Sequence, residues 1–285
     1  MYTTLISAEQ LQTLLSSGQP SMLFDCSFEL MQPQQGEQQF LDCHIAGAQR
    51  ADIDRHLSAK PPAPAVNGGR HPLPTREAFA AWLASLGFTA DTQAVVYDRQ
   101  GANYCGRLWW MLKWVGHEAV AVLDGGLQAW QAMGGALDSG PAMAREPSRF
   151  AAASPRTELM TADQLLQQLD QPTLTVVDAR PGPRFRGEVE PLDPVAGHIP
   201  GALNRPFGQN LGPDGRFKPA AELRAEFLAL FAGREPHRVV HQCGSGVSAV
   251  PNLLAMEVAG LGRTALYAGS WSEWCQDPLR PVARG

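Results

Sequence analysis

The chain repeats itself, and this constrains its fold more than any figure of composition. Val95-Val96 and Trp130 recur as Val239-Val240 and Trp274, each 144 residues further on. Between those ends Gly116 matches Gly260, Gly125 matches Gly269, and Leu123 falls opposite Tyr267. Earlier in each half, Leu23-Phe24-Asp25 matches Val176-Val177-Asp178. His44-Ile45-Ala46-Gly47-Ala48 matches His198-Ile199-Pro200-Gly201-Ala202, now 154 residues apart. The first half therefore carries an insertion, and the Pro- and Gly-rich stretch 60–74 is the place for it.

Short apolar runs at 22–24, 94–97 and 120–123, and again at 174–177, 238–241 and 264–267, are bounded by turn residues. They alternate with helical patterns, of which 9–15 and 162–169 open the two halves. That alternation predicts an α/β fold of two tandem domains, each a parallel sheet with helices on both faces. The boundaries fall at 1–137 and 156–285, joined by a linker at 138–155 rich in Pro, Ser, Gly and Ala.

One cysteine stands apart. Cys243 opens Cys-Gly-Ser-Gly-Val-Ser-Ala, between the strand pattern ending at Gln242 and a helical pattern over 247–260. A glycine-bearing turn there aims backbone N–H groups at one spot, and the helix dipole adds positive potential. A cysteine held at that spot is expected as a thiolate nucleophile. A cysteine phosphatase uses a similar cradle but needs an arginine six residues later to grip the phosphoryl oxygens. That position is Ala249, which argues against phosphoryl chemistry.

Composition excludes several classes. A net charge of −5 gives no reason to expect nucleic-acid binding. The five cysteines, at 26, 43, 105, 243 and 275, form no CxxC pair and no metal-like spacing. The N-terminus lacks a signal-peptide pattern and no apolar run is long enough to span a membrane, so a cytoplasmic protein with reduced thiols is expected.

The doubled His-Ile-x-Gly-Ala element, Asp124-Gly125-Gly126 with Trp130, Gly269-Ser270-Trp271 with Trp274, and the Cys243 loop resemble the tandem-domain rhodanese family over nearly the whole chain. The resemblance implies two related domains, of which only the C-terminal one carries the catalytic cysteine. The 144-residue spacing sets Arg99 opposite Cys243. Gly244-Ser245 after the cysteine resembles the 3-mercaptopyruvate sulfurtransferase branch, since thiosulfate enzymes usually have Arg-Lys there.

This resemblance implies a persulfide on Cys243, cradled by the amides of Gly244, Ser245, Gly246, Val247 and Ser248, with no cofactor or metal. It implies Ser245 as a proton relay with His71 and Asp54, and Arg184 as a ligand for the donor's anionic group. The chain departs from the branch at Leu192, where a second donor-binding arginine is usual; Arg205 or His241 could compensate. The donor expected is 3-mercaptopyruvate, with cyanide, thiols or thioredoxin as acceptor. The alternatives are thiosulfate as donor, or a carrier passing persulfide between proteins. Trp109, Trp110, Trp114, Trp130, Trp271 and Trp274 read as packing. Asp178 and His198 read as loop ties, and the other four cysteines as buried or incidental.

Overall fold

The computed structural model describes residues 1–169, 171 and 173–285. Packing divides them into two units: 1–64, 74–156 and 213–216 in the first, and 65–73, 157–212 and 217–285 in the second. The stretch 65–73, far from the second unit in sequence, thus belongs to it.

In the first unit the strands are β1 (Leu5–Ile6), β2 (Ser21–Asp25), β3 (His44–Ile45), β4 (Gln49–Arg50), β5 (Gln93–Tyr97), β6 (Val120–Leu123) and β7 (Leu137–Asp138). Its helices are α1 (Ala8–Ser16), α2 (Pro33–Asp42), α3 (Arg76–Ser85), α4 (Cys105–Trp114) and α5 (Gly126–Ala132). The parallel sheet runs β1-β6-β5-β2-β4. The second unit contains β8 (Glu158–Leu159), β9 (Thr175–Asp178), β10 (Leu203–Asn204), β11 (Val239–Gln242) and β12 (Ala265–Leu266). Around them lie α6 (Ala162–Gln168), α7 (Gly182–Phe185), α8 (Ala220–Phe231), α9 (Val250–Val258) and α10 (Ser270–Trp274). Its sheet order, β8-β12-β11-β9-β10, is the same topology a second time.

Helices cover both faces of each sheet, so the central strands are continuous apolar runs without alternation. Val95, Val96, Val239 and Val240 are all 2% exposed or less. Burying each such valine side chain contributes about 1.5–3 kcal/mol. Local signals repeat with the fold. Ser7 and Gln10 form a capping box on α1, and Thr161 and Gln164 form one on α6. His44 stacks on Phe40, and His198 on Phe185, each with ring centroids 3.9 Å apart and Nδ1–H donating to that partner's carbonyl. The six tryptophans named above are each buried, Trp114 being the most exposed at 5%.

Three sequence expectations shift. Asp138, the first residue of the anticipated linker, belongs with Leu137 to β7, antiparallel to β3. Helix α9 begins at Val250, so Val247 and Ser248 lie in the turn before it. The third concerns register. Val95 pairs with Leu23 and Ala121, whereas Val176 and Ala265 flank Val240. Val95 is therefore the counterpart of Val240, one residue beyond the sequence match, and Asp98 rather than Arg99 stands where Cys243 stands. Helix α4 has ten residues where α9 has nine, and this one extra residue restores the 144-residue spacing at Trp130.

Candidate active site

Ligand sites in parallel sheets form beyond the carboxyl ends of the strands, and Cys243 directly follows β11. Its N–H donates to Ser270 Oγ at 3.0 Å, and its carbonyl accepts from Trp271 N–H at 3.0 Å. Gly244 O accepts from Ser272 N–H at 2.9 Å, so α10 fixes the start of the loop. Gly246 has φ +72°, and a Cβ there would collide with the Ala268 carbonyl; only glycine fits. Val247 O accepts from Val250 N–H at 3.1 Å, which turns the chain into α9. Ser248 is half-buried in this turn, and Cys243 is 2% exposed.

Ser245 and His71, both buried, share a hydrogen bond of 2.7 Å between Oγ and Nδ1. The stretch 65–73 carries His71 as a strap on the second unit. Gly68 N–H donates to Glu273 Oε1 at 2.7 Å, and Arg70 N–H to Ser272 Oγ at 3.0 Å. Gly69 has φ +91°, and a Cβ there would lie 2.6 Å from the Gly269 carbonyl. The glycines of the stretch that reads as an insertion thus let it lie flat against α10.

Arg184, on α7, pairs with Glu190 at 2.7 Å and Asp193 at 3.2 Å. Arg70 binds the other oxygen of Asp193 at 2.7 Å. A Cβ on Gly244 would lie 3.1 Å from Arg70 Nη2 and 3.6 Å from Arg184 Nη1, so both guanidiniums face the cysteine loop. Sequence reasoning missed Arg70, although it adjoins His71. Arg186 instead pairs with Glu188 on the surface. Arg180 fastens Asp178, Glu190 and Gly197 O, which ties the loops together as expected of Asp178.

Neither expected substitute for an arginine at 192 reaches the loop. Arg205 is engaged by Asn210 and Glu226 and lies over the Phe227 ring. His241 is fully buried against Met256 Sδ, and burial, then Arg205, pushes its pKa down to about 3. Asp54 belongs to the first unit, where its carboxylate lies 2.7 Å from Lys60 Nζ. All five cysteines are free thiols; burial pushes those of Cys26, Cys105 and Cys275 upward, which disfavours them as nucleophiles. No helix among the described residues is long and apolar enough to cross a membrane.

The rhodanese-like domain profile matches residues 7–133 and 161–277. A Pseudomonas aeruginosa protein named "Probable 3-mercaptopyruvate sulfurtransferase" is 48% identical over 285 residues, covering 99% of this chain and 98% of its own. The bovine thiosulfate sulfurtransferase is 33% identical over 282 residues, covering 96% and 92% respectively. The crystal structure of a 3-mercaptopyruvate sulfurtransferase from Escherichia coli superposes with a TM-score of 0.79 at 33% identity, over 95% of this chain and all of that one. The chain belongs to the rhodanese family and contains that family's domain twice.

Proposed function

We propose that the protein is a sulfurtransferase that takes sulfur from 3-mercaptopyruvate through a Cys243 persulfide. The Cys243 thiolate attacks the donor sulfur, a new S–S bond forms, and the donor's C–S bond breaks. The electron pair of that bond leaves with the pyruvate fragment as an enolate. The donor's thiol proton passes through Ser245 and His71 to the methylene carbon, leaving pyruvate and a persulfide anion. A thiophilic acceptor then takes the outer sulfur and restores the thiolate. Backbone amides of residues 244–248 stabilise the persulfide charge.

The observation that carries this reading is the buried Ser245–His71 hydrogen bond inside the cysteine loop. Thiosulfate brings no thiol proton, so the pair would be idle with that donor. Charge agrees: Arg70 and Arg184 are already offset by Asp193 and Glu190, which suits one added carboxylate better than a dianion. Asp54 enters the proposal only through the family resemblance, as a further carboxylate serving the relay. The acceptor is a small thiol, cyanide or thioredoxin, and the setting is cytoplasmic.

The test is steady-state sulfur transfer with each donor. Ser245→Ala and His71→Gln are expected to slow kcat with mercaptopyruvate by roughly 10²–10⁴-fold and to leave thiosulfate turnover nearly untouched. Equal losses with both donors would remove the relay from the mechanism. A parent enzyme that prefers thiosulfate would replace the donor assignment.

A further inference from the structure

We infer that Arg70 is a donor-binding, specificity-determining residue, forming with Arg184 a two-armed clamp for the donor's carboxylate above Gly244. This rests on the mercaptopyruvate reading and adds a residue to it. Asp193 organises the clamp: its Oδ1 takes Arg70 Nη1 at 2.7 Å and its Oδ2 takes Arg184 Nη2 at 3.2 Å. Arg184 spends Nε and Nη2 on Glu190 and Asp193, and Arg70 spends Nη1 on Asp193. Arg70 Nη2 and Arg184 Nη1 have no hydrogen-bond partner among the described residues, and these are the nitrogens turned toward residue 244.

Two unspent N–H-bearing nitrogens from different segments, held by one carboxylate, present a pair of donors to the two oxygens of an incoming carboxylate. The missing Cβ of Gly244 leaves the room. A side chain there would sit 3.1 Å from Arg70 Nη2, in the space the donor's carboxylate needs beside Cys243. Asp193 and Glu190 are each 3% exposed in their side chains, so the arms are fixed before the donor arrives. Such preorganisation spares the cost of ordering long side chains on binding.

The test uses full-length protein carrying Arg70→Ala or Arg70→Lys. With 3-mercaptopyruvate, Arg70→Ala is expected to raise KM about 10- to 100-fold, the loss of one charge-assisted hydrogen bond, with kcat within about threefold of the parent. Inhibition by pyruvate, which keeps the carboxylate and lacks the sulfur, should weaken in parallel. The pH profile of kcat should not move, since the neighbouring His71 stays in place. Arg70→Lys, a point charge without the planar fork, should recover only part of the binding. Unchanged KM and unchanged pyruvate inhibition in Arg70→Ala, beside an active parent, would overturn the clamp alone. A fall in kcat with a shifted pH profile and an unaltered KM would also overturn it, making Arg70 a support for His71. No mercaptopyruvate turnover in the parent would sink the functional reading and the clamp together.

Discussion

The loop after β5 and the loop after β11 have one backbone plan and opposite contents. In the first unit Asp98 stands at the position of Cys243, and its carboxylate accepts four backbone N–H groups of its own loop. Gln100 and Ala102 donate to Oδ1 at 2.9 and 3.0 Å, and Tyr104 and Cys105 to Oδ2 at 2.8 and 2.9 Å. Gly101, with φ +68°, occupies the place of Gly246 at +72°. Arg107 N–H bonds Tyr104 O as Asn252 N–H bonds Ala249 O, so both loops enter their helices alike. The residue after the key position also differs. Arg99 fills its unit, reaching Asp25, Ser27, and the Gln39 and Cys43 carbonyls, where the second unit has Gly244. The first loop therefore shows what this turn is suited to hold: a negative charge among converging amides. There the anion is a permanent carboxylate. In the second unit that place belongs to a sulfur that can gain and lose a sulfur atom.

The largest effect that follows is for Cys243→Asp, which converts the second loop to the first. Sulfur transfer should fall by at least ~10⁴-fold, because the nucleophile is gone. The same variant should be more stable than Cys243→Ala by about 1–3 kcal/mol in urea unfolding at neutral pH, since the carboxylate finds the amides. An aspartate variant less stable than the alanine one would break the comparison. Conversely, Asp98→Ala leaves four amides without their acceptor and should cost about 3 kcal/mol. A loss under about 1 kcal/mol would mean the amides are served some other way.

The smallest effect concerns the strands beneath the loops. His241 occupies the register of Val96, and burial holds its folded pKa at about 3. Above the unfolded value near ~6.5 it is neutral in both states and contributes no slope. As pH falls below that value the unfolded chain binds a proton that the folded one refuses. Stability should then drop by up to about 1.4 kcal/mol per pH unit toward pH 3. His241→Val should flatten this part of the acid limb; an equally steep limb would assign it to His56 and His117, which burial also depresses.

Much of this was legible because it is periodic. Matching glycines, tryptophans and apolar runs exposed the duplicated sheet, and the strand–turn–helix pattern singled out Cys243. Ser245, His71 and Arg184 came through the family resemblance, and the structure brings Ser245 onto His71 and Arg184 beside Gly244. The misses are non-local or sub-residue. Residues 60–74 lie in the longer connection that the first unit carries between β4 and α3, as their composition suggested, but nothing in that composition reveals hydrogen bonds to Ser272 and Glu273 some two hundred positions away. Arg70 was hidden with them. Arg99 was matched to Cys243 because the 144-residue register sets Val95-Val96 on Val239-Val240, whereas strand pairing places Val95 on Val240 and Val96 on His241. Leu192 drew attention to a missing charge but not to its replacement, which arrives from another segment.

The most direct measurement is the intact mass of desalted protein after exposure to 3-mercaptopyruvate, followed by peptide mapping, for the parent and for Cys243→Asp. The parent should gain the mass of one sulfur atom, located on the Cys243 peptide and removed by cyanide, while the aspartate variant gains nothing. A parent that gains no sulfur, or a variant that still acquires it on another cysteine, would contradict the assignment of the two loops.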